Sequence, residues 1–172
     1  MTSQRVLVAG VGNVFFGDDG FGVEVARRLL DRPCAQRVTV RDFGIRGIDF
    51  AYALVDGYDA VIVVDAVKRG RAPGTIYVLE PDVDFDLSSG APASFETHAM
   101  DPARVLRYAR SLGDTPGCLR IVGCEPAELG DGDEPILGLS SAVEAAVDPA
   151  IAVVEDLLRQ LSAGEPLGGA DA

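Results

Sequence analysis

The residue types best able to do chemistry in this sequence are a few aspartates and the single histidine. Asp18 and Asp19 follow one strand-like apolar run, Asp42 and Asp65 end two others, and His98 precedes a helix-like segment. In open α/β sheets, ligands bind beyond the carboxyl ends of the parallel strands. Carboxylates and an imidazole from separate loops suit a divalent metal such as zinc or nickel with open coordination positions.

Each candidate also has a purely structural interpretation. Asp18 or Asp19 could cap the first helix through its N-terminal amides, and Asp18 is the better candidate for that role. Asp65 could accept hydrogen bonds from loop amides, and a lone histidine is more often structural than a ligand. Sheet topology by itself therefore leaves the metal site and the structural interpretation both open.

The stretch VLVAGVGNVFFGDDGFGVEVARRLL (6–30) has the strand, glycine turn and helix of a nucleotide-binding motif. Phe15, however, takes the place of the third glycine, and the Asp18–Asp19 pair would repel a phosphate, which weakens that interpretation. The hydrolase motifs G-x-S-x-G and H-E-x-x-H are absent from the sequence. A single histidine also excludes a site with several histidine ligands.

Hydrophobic periodicity and turn residues predict five strands and four helices. The predicted strands are 5–9, 37–43, 60–66, 75–80 and 118–124. The first two predicted helices run from Phe21 to before Pro33 and over 48–56. The third begins at an Asp101 cap with Pro102 in its first turn and ends at Gly113. The fourth begins at a Ser141–Glu144 capping box and continues to about Leu161, with a kink or split at Pro149.

One short connection decides the type of sheet. Only residues 66–74 separate two predicted strands, whereas a parallel crossover needs a dozen or more. We therefore predict an α/β fold, a three-layer α/β/α sandwich whose mostly parallel five-stranded sheet carries one antiparallel strand. Residues 1–162 form the predicted domain and 163–172 a disordered tail. Residues 81–97 form a long predicted loop, and loops of this length in a compact domain are usually functional or mobile. Residues 125–138 form a second loop, which is acidic and rich in glycine and proline.

Composition excludes several classes of function. The net charge of −12 and scattered basic residues argue against nucleic-acid binding. No apolar run approaches a membrane span, and no secretory leader is visible. The three cysteines form neither a disulfide framework nor a zinc motif. A cytoplasmic protein is the resulting expectation.

Six motifs, in this order, resemble those of the [NiFe]-hydrogenase maturation endopeptidases. They are GVGNVFFGDDGFGV (10–23), DFGIRG (42–47), VIVVDAV (61–67), PGTI (73–76), THAM (97–100) and GLS (138–140). The first motif, combined with the strand-ending aspartate and the late histidine, is specific to that family. The resemblance extends from the first strand to the last helix. Phe43-Gly44 departs mildly from the family's Gly-Gly turn.

The resemblance implies a cytoplasmic protease of aspartyl or metal-dependent type that removes a C-terminal extension from the hydrogenase large-subunit precursor after nickel insertion. It implies a metal-binding and catalytic triad of Asp19, Asp65 and His98. The nickel would be held by the substrate, and the isolated protein could carry another divalent metal such as zinc or cadmium. The implied partner is the large-subunit precursor, and the protein is expected to bind neither nucleic acid nor membranes. A monomer is one of the oligomeric states that remain open.

A second class of function remains open beside the protease. A non-catalytic metal-binding escort of the large subunit would use the same residues without cutting the substrate. Cleavage of the precursor's tail only when nickel is loaded would distinguish the protease. The acidic loop 125–135 could contribute to the choice of large subunit.

Overall fold

The computed structural model describes residues 4–81, 101–130 and 133–165, and over these residues the chain forms five strands and four α-helices. The described strands are β1 (Val6–Val11), β2 (Val38–Gly44), β3 (Ala60–Ala66), β4 (Ile76–Leu79) and β5 (Cys118–Cys124). The described α-helices are α1 (Phe21–Leu30), α2 (Gly47–Leu54), α3 (Pro102–Leu112) and α4 (Ser141–Ala163), and a 3-10 turn, Asp18–Gly20, precedes α1.

The five strands form one mixed sheet in the order β2-β1-β3-β5-β4. All neighbouring pairs are parallel except β4 and β5, which are antiparallel. The short 66–74 connection therefore leads to an antiparallel strand, as its length predicts. The predicted fold class is confirmed, and β3 is the central strand.

Alternation along the strands divides the core into two layers, one on each face of the sheet. Val6 and Val8 of β1 point to the face covered by α1 and α4, together with Phe21, Val25 and Leu29 of α1. The other face of β1, beginning with Leu7, packs against α2 and α3. Both layers are apolar, so the sheet is covered on both sides and the three-layer arrangement follows.

Glycine at position 22 allows α1 to lie directly on the sheet. A Cβ atom there would lie 2.0 Å from the carbonyl oxygen of Val64 and 2.4 Å from that of Val11. Both obstacles are strand backbone, which cannot move aside without disturbing the sheet. The first turn of α1 is therefore held against β1 and β3.

We expect Gly22→Ala to lower the free energy of unfolding by about 3 kcal/mol, since the added methyl group forces helix and sheet apart. Urea denaturation measures the change. Gly117→Ala is the matched control, because no heavy atom lies within 4 Å of the position a Cβ would take there. Equal stability of the two variants would show that α1 can shift freely on the sheet.

The starts of α3 and α4 differ in how well the sequence predicts them. Asp101 caps α3 through a 3.0 Å bond accepted from the Ala103 N–H, as expected. The predicted capping box of α4 is wrong, because Ser140 is the N-cap residue and the side chain of Glu144 pairs with Arg28 of α1. A split at Pro149 is also wrong, since α4 continues through it as one helix.

The remaining predictions on chain organisation concern the tail and membrane spans. Residues 163–165 complete α4 and its cap at Gly164, and the rest of the predicted tail lies outside the described residues. Among the helices described, none combines the length and apolarity required to cross a bilayer. Cys34, Cys118 and Cys124 are free thiols.

Candidate active site

The site lies at the carboxyl ends of β1 and β3, which are adjacent in the sheet. Asp19 lies in the 3-10 turn that follows β1, and this turn contacts β3. Asp65 is the penultimate residue of β3. Parallel strand pairing thus brings together two carboxylates that are far apart in the sequence.

Asp19 is half-buried, and its carboxylate is held by a backbone donor. Its Oδ2 accepts a 2.8 Å hydrogen bond from the Asn13 N–H, which fixes the carboxylate at the mouth of the turn. Burial raises the pKa of Asp19 above its ordinary value, and the Asn13 N–H offsets part of that increase. Its ionised form is therefore less favourable than that of a surface aspartate.

Asp65 is more deeply buried, with 8% of its surface exposed. Burial raises its pKa well above the ordinary value, and the negative charge of Asp19 raises it further. A hydrogen bond from the Ala66 N–H opposes this, whereas Asp101 at the start of α3 adds to it. Two carboxylates held this close repel each other, and a shared cation or proton would relieve the repulsion.

The predicted third ligand, His98, lies outside the described residues. Asp101, three positions later, acts electrostatically on Asp65, so the N-terminal end of α3 lies near the pair. Over residues 4–81, 101–130 and 133–165, no group of three or more histidine, cysteine or acidic side chains is arranged to hold a metal ion. The triad therefore stays a prediction, with two members brought together here.

Asp42, the fourth carboxylate singled out in the sequence, is not part of this pair. It lies in β2, next to Gly10 of β1 in the parallel register. Since β1 separates β2 from β3, Asp42 and Asp65 lie two strands apart. The backbone carbonyl of Asp42 accepts a hydrogen bond from the Arg46 side chain.

The helix-capping role expected for Asp18 is wrong. Its carboxylate is fully buried and makes no cap bond to α1. Instead it accepts hydrogen bonds from the N–H groups of Ala127 and Glu128, at 2.8 and 2.9 Å, and from the N–H and hydroxyl of Ser140, at 2.7 and 2.9 Å. Asp18 therefore joins the turn after β1 to the chain between β5 and α4.

Backbone hydrogen bonds complete this connection. Gly17 and Ile136 donate to the carbonyls of Ile136 and Phe15 respectively, both at 2.8 Å, and Gly130 donates to Phe16. The turn that carries Asp19 thus lies between two segments of the 125–138 loop. Moving the turn would break these backbone hydrogen bonds together with the hydrogen bonds of the buried Asp18 carboxylate, so the turn is held rigidly.

Glu125 performs a similar role for the segment that follows β3. It is buried, and it accepts hydrogen bonds from the Arg69 and Gly70 N–H groups and from the Tyr77 hydroxyl. The Tyr77 hydroxyl is the main cause of a lowered pKa for Glu125. This network holds the chain that leaves Asp65 against the end of β5.

Sequence reasoning missed the site roles of Asn13 and Asp101. Asn13 follows the glycine turn in the first motif, and its backbone N–H holds Asp19. Asp101 was recognised only as a helix cap, although a helix that begins at the carboxyl edge of the sheet brings its cap near the site. That placement was the available signal for Asp101, whereas a backbone donor such as the Asn13 N–H carries no side-chain signature.

A comparison with protein families and curated proteins finds one consistent set of relatives. The family model described as hydrogenase maturation protease matches residues 23–157. A putative hydrogenase maturation protease of Methanocaldococcus jannaschii is 35% identical over 156 residues, which cover 90% of this chain and 96% of that protein. The hydrogenase 2 maturation protease of Escherichia coli is 32% identical, with 91% and 92% covered.

Solved structures give the same result. The hydrogenase-maturating endopeptidase of Escherichia coli superposes with a TM-score of 0.74 at 31% identity, covering 91% of this chain and 93% of that one. A hydrogenase 2 maturation peptidase from a Thaumarchaeota archaeon gives a TM-score of 0.66 at 38% identity, covering 91% and 99%. The family match begins at Val23, after the Asp18–Asp19 turn, whereas these structures align with most of the chain.

Proposed function

Because this chain belongs to the hydrogenase maturation protease family, we propose that it removes the C-terminal extension of a [NiFe]-hydrogenase large-subunit precursor after nickel insertion. Membership of the family makes the protein a hydrolase of the endopeptidase class. The precursor as substrate and the role of nickel are the proposed parts. The three free cysteines are consistent with a reducing compartment such as the cytoplasm, where we expect the protein to act.

The observation that carries the proposal is the Asp19–Asp65 pair. Two carboxylates with raised pKa values meet at the sheet edge where α/β proteins bind ligands. Their mutual repulsion is relieved when a divalent cation lies between them. With His98 as third ligand, the set offers oxygen and nitrogen donors and leaves coordination positions open, which suits nickel.

Nickel in this proposal belongs to the substrate. An ion still held by the precursor's thiolates can take Asp19, Asp65 and His98 into its open positions, so the metal itself marks a precursor that is ready for cleavage. Binding through the ion would then hold the adjacent C-terminal tail against the protease. In the absence of a serine or cysteine nucleophile motif, we propose that water attacks the scissile bond.

The test compares cleavage of purified precursor with and without nickel. Mass spectrometry measures the loss of the tail, which we expect only for the nickel-loaded precursor. His98→Ala is expected to slow cleavage about 100-fold, because losing one of three ligands lowers the affinity of the site for the nickel ion. Asp31→Asn, an exposed carboxylate at the far end of α1, serves as the control and should cleave like the unmodified protein.

Two results would contradict the proposal. Equal cleavage of nickel-free and nickel-loaded precursor would remove nickel as the recognition element. Tight binding of the loaded precursor without any cleavage would instead favour a metal-binding escort of the large subunit.

A further inference from the structure

An apolar surface lies beside the candidate active site without a function in the arguments above. It is formed by Phe15, Leu129 and Leu137, whose exposed fractions are 56%, 45% and 74%. We call it the Phe15 surface. Glu128 and Glu134, both exposed, flank it in the sequence of the 125–138 loop. Single exposed apolar residues are common, but apolar residues gathered together mark interaction sites.

Backbone pairing places these three apolar residues near each other. The Phe15 carbonyl accepts from the N–H of Ile136, the neighbour of Leu137, and Gly17 forms an antiparallel bridge with Leu129. Phe15 therefore lies between two segments that each contribute a leucine. The Asp18 carboxylate holds both segments in place by accepting hydrogen bonds from the N–H groups of Glu128 and Ser140. A surface fixed in this way loses little conformational freedom when a partner binds.

The Phe15 surface and Asp19 are parts of the same turn. The Phe15 N–H donates to the Asn13 side-chain oxygen at 2.9 Å, and the Asn13 N–H donates to Asp19 at 2.8 Å. A polypeptide whose metal-bearing end meets Asp19 would therefore pass close to Phe15. This proximity connects the surface to the substrate.

Charge decides among the possible occupants. A second copy of this chain would bring the same carboxylates and a net charge of −12, so like charges would oppose the contact. Nucleic acids and anionic membranes are repelled for the same reason. A polypeptide that carries an apolar side chain next to Lys or Arg complements the surface in both respects. Its apolar side chain would pack on the phenylalanine and leucines, and its basic side chain would pair with the flanking glutamates.

We propose that the Phe15 surface binds a segment of the large-subunit precursor that carries an apolar side chain beside basic residues. This inference rests on the proposed function, since it takes the precursor as the partner. The apolar residues then supply affinity, and Glu128 and Glu134 supply orientation and discrimination between precursors of different charge.

The test measures KM and kcat for nickel-loaded large-subunit precursor, with binding to the same precursor measured separately. Phe15→Ala and Leu137→Ala are each expected to raise KM about tenfold with kcat retained, because truncating an anchoring side chain weakens substrate binding. Phe15→Leu, which keeps apolar bulk, should restore most of the affinity. Glu128→Gln combined with Glu134→Gln should raise KM at low salt, and the difference should shrink at high salt.

Leu30→Ala is the matched apolar control, since Leu30 is 55% exposed at the far end of α1. Its KM should equal that of the unmodified protein. If the protein cleaves the precursor and the Phe15 surface variants keep its KM, the inference is overturned and the proposed function stands. If the protein binds without cleaving and the same variants lose binding, the surface is confirmed and the protease function fails. A dimer that Phe15→Ala dissociates would assign the surface to a second copy and overturn the inference.

Discussion

Replacing Asp18 with alanine should lower the free energy of unfolding by about 3–5 kcal/mol. The fully buried carboxylate accepts four hydrogen bonds, and its removal leaves the N–H groups of Ala127, Glu128 and Ser140 without this acceptor. Urea denaturation measures the loss. Cleavage activity should fall with it, because the turn that carries Asp19 loses its support.

Asp18→Asn separates shape from hydrogen bonding. Asparagine has nearly the same volume but only one accepting oxygen, so part of the network stays unpaired and we expect an intermediate loss of stability. Asp31→Ala, on the surface, should change the free energy of unfolding by less than about 0.5 kcal/mol. Unaltered stability of Asp18→Ala would mean that water replaces the carboxylate without cost.

Unlike Asp18→Ala, Asp65→Asn is expected to remove function without lowering the free energy of unfolding. Cleavage should fall at least about 100-fold, since the change removes a charge from the proposed nickel-binding and catalytic pair. The metal-free protein, in contrast, should be as stable as the unmodified protein or more so. Burial and the neighbouring Asp19 make the ionised carboxylate of Asp65 unfavourable in the folded state, and asparagine carries no charge.

The dependence on pH has a defined sign. The pKa of Asp65 is higher in the folded than in the unfolded protein, so the folded state takes up a proton first as the pH falls. The destabilisation caused by the charge is present above the raised pKa and disappears as the pH falls through it. The stability advantage of Asp65→Asn should therefore be larger at neutral than at mildly acidic pH in chelator-treated protein. A less stable Asp65→Asn, or one that still cleaves, would contradict this role.

Much of the fold follows from local patterns in the sequence. Strand β3 is apolar up to Asp65 because both of its faces are covered. The short link after it leads to β4, which runs antiparallel to its neighbour β5, as the length of the link predicts. The start of α3 was predictable because Asp101 and Pro102 act within a single turn of helix. The patterns that predict these features each lie within a short stretch of the sequence.

The rest depends on contacts between distant residues, which local patterns do not reveal. The Ser141–Glu144 pattern predicted a capping box, yet the hydroxyl that precedes it bonds to Asp18, and Glu144 finds Arg28 in another helix. The pairing of Asp19 with Asp65 could be anticipated because strand ends meet at one edge of a parallel sheet. The role of Asp18 could not be anticipated, because three of its four donors are backbone N–H groups with no sequence signature, and the fourth, the Ser140 hydroxyl, is 122 residues away.

The long separation between Asp18 and its partners bears on how the protein is made. Its hydrogen bonds reach 109 to 122 residues along the chain, to the segment just before α4. During synthesis β1 and α1 emerge first, but the turn between them stays incomplete until the ribosome has released residue 140. The turn that carries Asp19 therefore reaches its folded form only late in translation, although it lies near the start of the chain.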